Sequence, residues 1–108
     1  MANTFKLKTK ANVGVTTTTV YVVPNSTTTV VIGVTLANTT GSSINVGIGI
    51  NRGANDNVKL MKSVPIPQGS SFEFMSGNKI VLETTDTFVA ESDVNNSLDV
   101  ALTIMEIT

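Results

Sequence analysis

The sequence contains no cysteine and no histidine. The absence of cysteine excludes disulfides and thiolate chemistry, and the absence of histidine removes the commonest metal ligand and general base. Tryptophan is also missing and aromatic residues make up only 5% of the chain, so few side chains are available to stack on a sugar ring. These absences predict a protein that is not an enzyme and that requires no metal or cofactor.

Charge is also scarce, because charged residues make up 14% of the chain where an ordinary domain carries roughly 25%. The net charge of −1 lacks the basic excess that a nucleic-acid groove requires. Lys6, Lys8 and Lys10 form the only basic cluster, and their alternation predicts one face or a charged edge of a strand, with phosphate contact as the weaker alternative. A surface with so little charge repels copies of itself weakly and permits close packing.

Long apolar runs are absent as well. None approaches the roughly 20 residues that span a bilayer, and residues 1–4 lack the apolar core of a signal peptide. We therefore expect a chain made in a cytoplasm, with neither a membrane nor a nucleic acid as partner. The length of 108 residues predicts one domain over residues 1–108.

Alternation of apolar and polar residues runs through the chain, and the abundant threonine and valine favour strands. The clearest alternating set is Ile44, Val46, Ile48 and Ile50. In the longest predicted strand, residues 28–38, we expect one face to carry Val30, Ile32, Val34 and Leu36. About eight short strands separated by turn signals predict an all-β fold, an antiparallel β-sandwich that is jelly-roll-like.

Prolines and glycines add two local predictions. Residues 64–67 contain Pro65 and Pro67, which lack the N–H that a central strand requires, so an extended edge or a crossover is expected. Gly47 and Gly49 alternate on the outer face of their strand, where the missing side chains permit close approach of another layer.

Carboxylates are the remaining candidates for chemistry. Glu83 with Asp86, and Glu91 with Asp93, are the nearest pairs, and glycosidases place two acids across a sugar. Asp86 lies in a predicted turn, where aspartate binds its own backbone, so a structural role is favoured. An oxygen-rich loop comprises Asn51, Asn55, Asp56 and Asn57. It lacks the ordered spacing of a calcium loop, so a polar turn is favoured there too.

The last predicted strand, residues 97–107, is apolar on both faces. One face carries Leu98, Val100, Leu102 and Ile104, and the other carries Ala101, Met105 and Ile107. Such a strand is either covered on both sides within its own domain or lies in a subunit interface. We expect the first set in the core, and we expect the second set to form an interface with a neighbouring chain.

Six segments, taken in order, carry a resemblance to a known class of protein. They are residues 1–5 (MANTF), 19–24 (TVYVVP), 31–39 (VIGVTLANT), 64–71 (VPIPQGSS), 79–84 (KIVLET) and 105–108 (MEIT). Through them the chain resembles small virion structural proteins of tailed bacteriophages, particularly those of marine cyanobacterial phages, over nearly its full length. The family pattern has glycine just before Asp86, where this chain has Thr85, so the type of turn stays open.

The resemblance implies a particle component without catalytic residues, assembled in the host cytoplasm into the virion. A head decoration or cement protein on the capsid exterior is the first expectation, with the major capsid protein or other virion proteins as partners and a homo-oligomer, preferably a trimer, as the assembly. A neck, tail or fibre component is the second. A carbohydrate-binding β-sandwich module is the third.

Overall fold

The computed structural model describes residues 3–53, 57–74 and 79–108. Across those residues the chain forms nine strands and no helix, so none of the described segments is a helix able to cross a membrane. The strands are β1 (Asn3–Val13), β2 (Thr18–Val22), β3 (Thr28–Asn38), β4 (Ile44–Asn51), β5 (Asn57–Ile66), β6 (Ser71–Phe74), β7 (Ile80–Leu82), β8 (Thr87–Ser92) and β9 (Leu98–Ile107).

The strands form two sheets in which every pair is antiparallel. Sheet A has the order β1-β9-β3, and β6 and β7 both pair with the free side of β3, one beside each half. Sheet B has the order β2-β8-β4-β5. Strands that follow one another along the chain mostly lie in opposite sheets, which is the strand order of a jelly roll. The predicted antiparallel β-sandwich is therefore confirmed.

The core lies between the sheets and follows the predicted alternation in two strands. In β4 the buried side chains are Ile44, Val46, Ile48 and Ile50. In β9 they are Leu98, Val100, Leu102 and Ile104. Both sets agree with the sequence prediction. Each such side chain contributes about 1.5–3 kcal/mol when removed from water, so these two strands, one from each sheet, supply much of the force that holds the layers together.

The face predicted for β3 is wrong in its first half. Val31 is fully buried while Val30 is half-buried on the outer side, the reverse of the expectation. The cause is a β-bulge at Ile32, which adds one residue to β3 against β9 and shifts the side chains on one side of it to the opposite face. Beyond the bulge the expectation holds, since Val34 and Leu36 are buried.

Strand β5, which contains Pro65, forms an edge of sheet B. This agrees with the edge position predicted from the prolines. The two glycines of β4 are buried beneath β5. A Cβ atom added to Gly49 would lie 2.6 Å from the carbonyl oxygen of Val58, and one added to Gly47 would lie 3.1 Å from that of Met61. The close approach predicted at these glycines is therefore made by the neighbouring strand, not by another layer.

Candidate functional site on the outer face of sheet A

The residues predicted to form an interface all lie on the outer face of β9. Ala101, Met105 and Ile107 are half-buried, and they alternate with the core residues of the same strand. Because β9 is central in sheet A, between β1 and β3, its backbone is already paired on both sides. Contact with another chain at these positions would therefore be made by side chains across the sheet face. The interface itself stays a prediction.

A row of four apolar residues crosses this face from one side of the sheet to the other. Phe5 pairs with Met105, Met105 pairs with Val30, and Val30 pairs with Val81. Directly paired residues of neighbouring strands place their side chains on the same face, with Cβ atoms about 5 Å apart. Phe5 is 70% exposed and Val81 is 59% exposed. Four strands thus present one continuous apolar row to solvent.

Two further residues widen the row. Leu7 is 63% exposed and lies two positions along β1 from Phe5, and Ile107 lies two positions along β9 from Met105. The surface that these two form with the row is called the apolar face, and its members are Phe5, Leu7, Val30, Val81, Met105 and Ile107. Among the paired outer positions that the structure describes in sheet A, the charged ones are Glu73 and Asp99, which lie toward the other end of the sheet.

Ala101 lies at that other end. A shallow depression of about 330 Å³ is lined there by Thr9, Lys10, Ala11, Thr35, Ala37, Asp99, Val100 and Ala101. The structure therefore brings Met105 and Ile107 together in the apolar face but places Ala101 apart from them. Sequence reasoning missed the contributions of β1, β3 and β7. Val30 was assigned to the wrong face because a β-bulge leaves no mark in simple alternation, and cross-strand register is not visible in one sequence.

The lysines of β1 lie on the opposite side of the strand from Phe5 and Leu7, so their predicted shared face is confirmed. Lys6 pairs with Ile104 and Lys8 with Leu102, both core residues, so the lysines point toward the rim between the sheets. The Lys6 Nζ atom lies 2.8 Å from Glu106 Oε1, and the Lys8 Nζ atom lies 5.8 Å from the centre of a tyrosine ring. Inward-pointing charges of this kind protect an edge strand from pairing with other chains.

A buried polar cluster joins the two sheets beside these lysines. The Tyr21 hydroxyl of sheet B donates a hydrogen bond to Glu106 Oε2 at 2.5 Å and lies 2.8 Å from Thr29 Oγ1. Burial, and then the hydrogen bond to Glu106, raise the pKa of Tyr21 to about 12. The hydrogen bonds from Lys6 and Tyr21 lower the pKa of Glu106. The polar groups of the cluster are hydrogen-bonded to one another, and these bonds connect the two sheets.

The carboxylate pair at residues 83 and 86 forms a turn. Asp86 is buried, and its Oδ2 atom accepts the backbone N–H of Glu83 at 2.9 Å, which confirms the predicted structural role. Its Oδ1 atom lies 3.2 Å from Arg52 Nε. Thr85, which stands where the resembling family has glycine, adopts a φ of 72°. That left-handed conformation favours glycine and is costly for a β-branched residue.

The second carboxylate pair is also engaged in structural contacts. Glu91 Oε1 lies 2.7 Å from Lys59 Nζ, and Asp93 Oδ1 accepts the backbone N–H of Asn45 at 3.0 Å. Of the suggested calcium loop, Asn55 and Asp56 lie outside the described residues. Within the described part of the chain, no three acidic, histidine or cysteine side chains are grouped to hold a metal ion.

A groove of about 380 Å³ lies on the other side of the sandwich, in sheet B. It is lined by Asn45, Val46, Gly47, Lys59, Lys62, Ser63, Glu91, Ser92 and Asp93. None of these residues is aromatic, so the groove lacks the flat apolar platform on which sugar-binding proteins stack a ring. The two outer surfaces of the sandwich therefore differ: sheet B presents paired charges and sheet A presents the apolar face.

Comparison with known proteins gives one informative result. No protein-family model matches the chain, and no curated protein matches it. A solved chain from Bacillus endospore appendages, described as a novel family of disulfide-linked pili, is similar in structure, with a TM-score of 0.59 and 15% sequence identity. The similarity covers 99% of this chain and 87% of that one. At this identity the likeness shows a shared fold.

Proposed function

We propose that this chain is a structural protein of a tailed-bacteriophage virion, most specifically a head decoration or cement protein that stabilises the capsid exterior through protein–protein contacts. The observation that carries the proposal is the apolar face, whose uncharged row of exposed and half-buried side chains crosses four strands. Single exposed apolar residues are ordinary on soluble proteins, but contiguous ones mark contact surfaces. That the particle is a tailed-bacteriophage virion is proposed from the sequence resemblance to virion structural proteins.

The engagement of the carboxylates supports a role without catalysis. Asp86, Glu91, Asp93 and Glu106 each bind a backbone amide or a basic side chain. Among the described residues no buried side-chain polar atom lacks a hydrogen-bond partner. A general acid or base must lie within hydrogen-bond reach of the substrate proton that it transfers. These carboxylates instead stabilise turns and strand pairs, so we expect no enzymatic activity.

A neck, tail or fibre component is the second candidate, and the structural likeness to a pilus chain favours it. That chain is described as belonging to disulfide-linked pili. The present sequence has no cysteine, so a fibre built from it would depend on noncovalent contacts. A carbohydrate-binding module is the third candidate, and the groove in sheet B is the place where it would act.

Mass spectrometry of density-purified particles from an infected culture tests the proposal, combined with antibody labelling of intact particles. We expect the chain in the particle fraction at many copies, with label distributed over the head. Label confined to the neck or tail would favour the second candidate. Recovery of the chain from host lysate but never from particles would overturn both virion roles.

A further inference from the structure

We infer that residues 3–10 of β1, called the blade, form a hinged strand that opens from β9 as one unit while the rest of the sandwich stays folded. Three features of β1 carry the inference. The blade adds no side chain to the core, the end of β1 next to it is anchored there, and a β-bulge separates the two. The opening does not depend on the proposed virion role, and only its consequence for assembly rests on that role.

The blade is held in place almost without apolar burial. Seven of its eight residues are exposed, and the eighth, Lys8, is half-buried. Shorter edge strands contribute more, because β2 places Tyr21 in the core and β7 places Leu82 there. Burial of apolar surface is the main force that holds a domain together. A segment with few buried apolar contacts therefore opens at a lower free energy than the core does.

The end of β1 that follows the blade is anchored. Val13 is fully buried in the core. Its carbonyl oxygen accepts the backbone N–H of Ser97 at 3.1 Å, and that of Gly14 accepts the backbone N–H of Ser92 at 2.9 Å. These bonds attach the chain to the end of β8 and to the start of β9, so opening of the blade leaves this anchor in place.

A β-bulge lies between the blade and the anchor. The register with β9 shifts between Lys10 and Val13, so that Ala11 and Asn12 together lie opposite Asp99. A bulge leaves its extra residue out of the ladder and bends the strand. Asn12 has a φ of 60°, a left-handed conformation that asparagine adopts more readily than most residues. Hinges are a few residues at the end of an element that absorb such a change of backbone angles.

One ion pair acts as the latch of the blade. The Lys6 Nζ atom lies 2.8 Å from Glu106 Oε1, and the Glu106 side chain is only 8% exposed, so water screens this pair less than it screens a surface pair. The Lys8 ammonium adds a weaker attraction to the Tyr21 ring, 5.8 Å away. Lys10 forms no ion pair within the described part of the chain. Lys6 is therefore the lysine of β1 whose charge matters most for closure.

Hydrogen exchange of the purified full-length protein, followed by nuclear magnetic resonance, tests the hinge. We expect the hydrogen-bonded amides of the blade to share one protection factor, at least about tenfold below that of the amides of β4. In β9, which lies between β1 and β3, alternate amides bond to either neighbour. Every second amide of β9 should then exchange with the blade, and the intervening ones should exchange with the core. Protection that declines steadily toward residue 3 would indicate ordinary end fraying and overturn the inference, as would a blade that exchanges at the core rate.

A matched pair of variants tests the latch. Lys6→Met removes the charge that binds Glu106 and should raise the opening equilibrium of the blade about tenfold, as expected for loss of a hydrogen bond between charged groups. Lys10→Met makes the same change on the same side of β1 and should leave the opening unchanged. Equal effects of the two substitutions, or none from Lys6→Met, would remove the latch. The exchange pattern of the wild type tests the hinge even if Lys6→Met folds poorly.

A reversible lock provides an independent measurement, because the chain has no cysteine of its own. Leu7 and Thr103 are directly paired, and Cα atoms of paired antiparallel residues lie about 4.5–5.5 Å apart, within the range that a disulfide spans. In the double variant Leu7→Cys, Thr103→Cys, oxidation should slow exchange of the blade to the core rate, and reduction should restore fast exchange. Identical exchange of the oxidised and reduced forms would show that the blade does not open from β9.

Closure of the blade completes the apolar face, because Phe5 and Leu7 are two of its six members and both lie in the blade. Under the proposed function, a protein neighbour that covers this face binds the closed form and suppresses opening by mass action. The two claims fail separately. A blade that opens in a chain never found in particles would retain the hinge and remove the virion role. A particle component whose blade exchanges only with the core would retain the virion role and remove the hinge.

Discussion

The hydroxyl of Tyr21 and the carboxylate of Glu106 are joined by a 2.5 Å hydrogen bond that connects the two sheets of the sandwich. Tyr21 belongs to β2 of sheet B and Glu106 to β9 of sheet A. Both residues are only 6% exposed, so water is a poor substitute for either partner. This bond ties together the layers at the rim beside the lysines of β1.

Removal of the Tyr21 hydroxyl should therefore weaken the fold. A Tyr21→Phe variant keeps the ring but leaves Thr29 and one oxygen of Glu106 without their buried partner. Leaving buried polar groups unsatisfied costs about 1–3 kcal/mol, and urea denaturation measures the loss. The control is Thr19→Ala, an exposed β2 residue, which should change stability little. Equal stability of Tyr21→Phe and wild type would show that the bond contributes nothing.

Acid should weaken the same cluster. The pKa of Glu106 lies below its ordinary value of 4.5, first because of the hydrogen bond from Lys6 and then that from Tyr21. Folding therefore favours the ionised carboxylate, and this stabilisation is present above pH 4.5 and is lost as the pH falls through the lowered pKa. We expect the free energy of unfolding to fall below about pH 4.5, and to fall less in Glu106→Gln. Parallel pH profiles for the two proteins would contradict this.

Alkali should act through Tyr21. Its pKa is raised from 10.0 to about 12, mainly by burial, so the folded state holds the phenolic proton longer than the unfolded chain does. Stability is then present below pH 10 and falls as the pH rises from about 10 toward 12. Tyr21→Phe should lose this part of the alkaline dependence. An unaltered alkaline profile in that variant would assign the effect to other groups.

Thr85 should be replaceable with a gain in stability. Its φ of 72° costs a β-branched residue about 1–2 kcal/mol, which exceeds the extra unfolded-state entropy of glycine, about 0.5–1 kcal/mol. Thr85→Gly should raise the melting temperature by a few degrees, about 4–8 °C for each kcal/mol gained. Thr17→Gly, in an exposed loop without positive φ, should lower it slightly. A lower melting temperature for Thr85→Gly would show that the turn is unstrained.

Gly49 should tolerate no side chain. Its added Cβ would lie 2.6 Å from the carbonyl oxygen of Val58, so β5 would have to move away from β4. Gly49→Ala should cost about 1–3 kcal/mol through this overpacking. Gly41→Ala is the matched control, because nothing lies within 4 Å of its added Cβ. Thermal denaturation compares the two, and equal melting temperatures would contradict the close approach of β5.

The fold class, and the core-facing residues of the most regular strands, could be predicted from the sequence alone. The alternation of β4 and the even positions of β9 matched their burial because neither strand carries an added residue. In β3 the bulge at Ile32 reversed the faces of Val30 and Val31. A bulge depends on how a strand fits its partner, and no local pattern reports that fit.

The apolar face was predictable only in part. Met105 and Ile107 were found because their strand is apolar on both sides. Phe5 was not predicted to belong to the apolar face. Its alternation with Lys6 resembles that of a strand whose apolar side faces the core. In the structure Lys6 points toward the rim between the sheets, where it forms an ion pair with Glu106. Phe5 therefore points to the outer face of the sheet. The partners across strands, not the composition of one strand, decide which side is buried.

Cryo-electron microscopy of intact particles tests the central claim most directly, because it shows both where the chain is and what covers its apolar face. The account predicts density for this nine-strand fold on the capsid exterior, with Phe5, Met105 and Val81 covered by a protein neighbour. Particles that lack the chain, or that carry it with the apolar face open to solvent, would contradict the account.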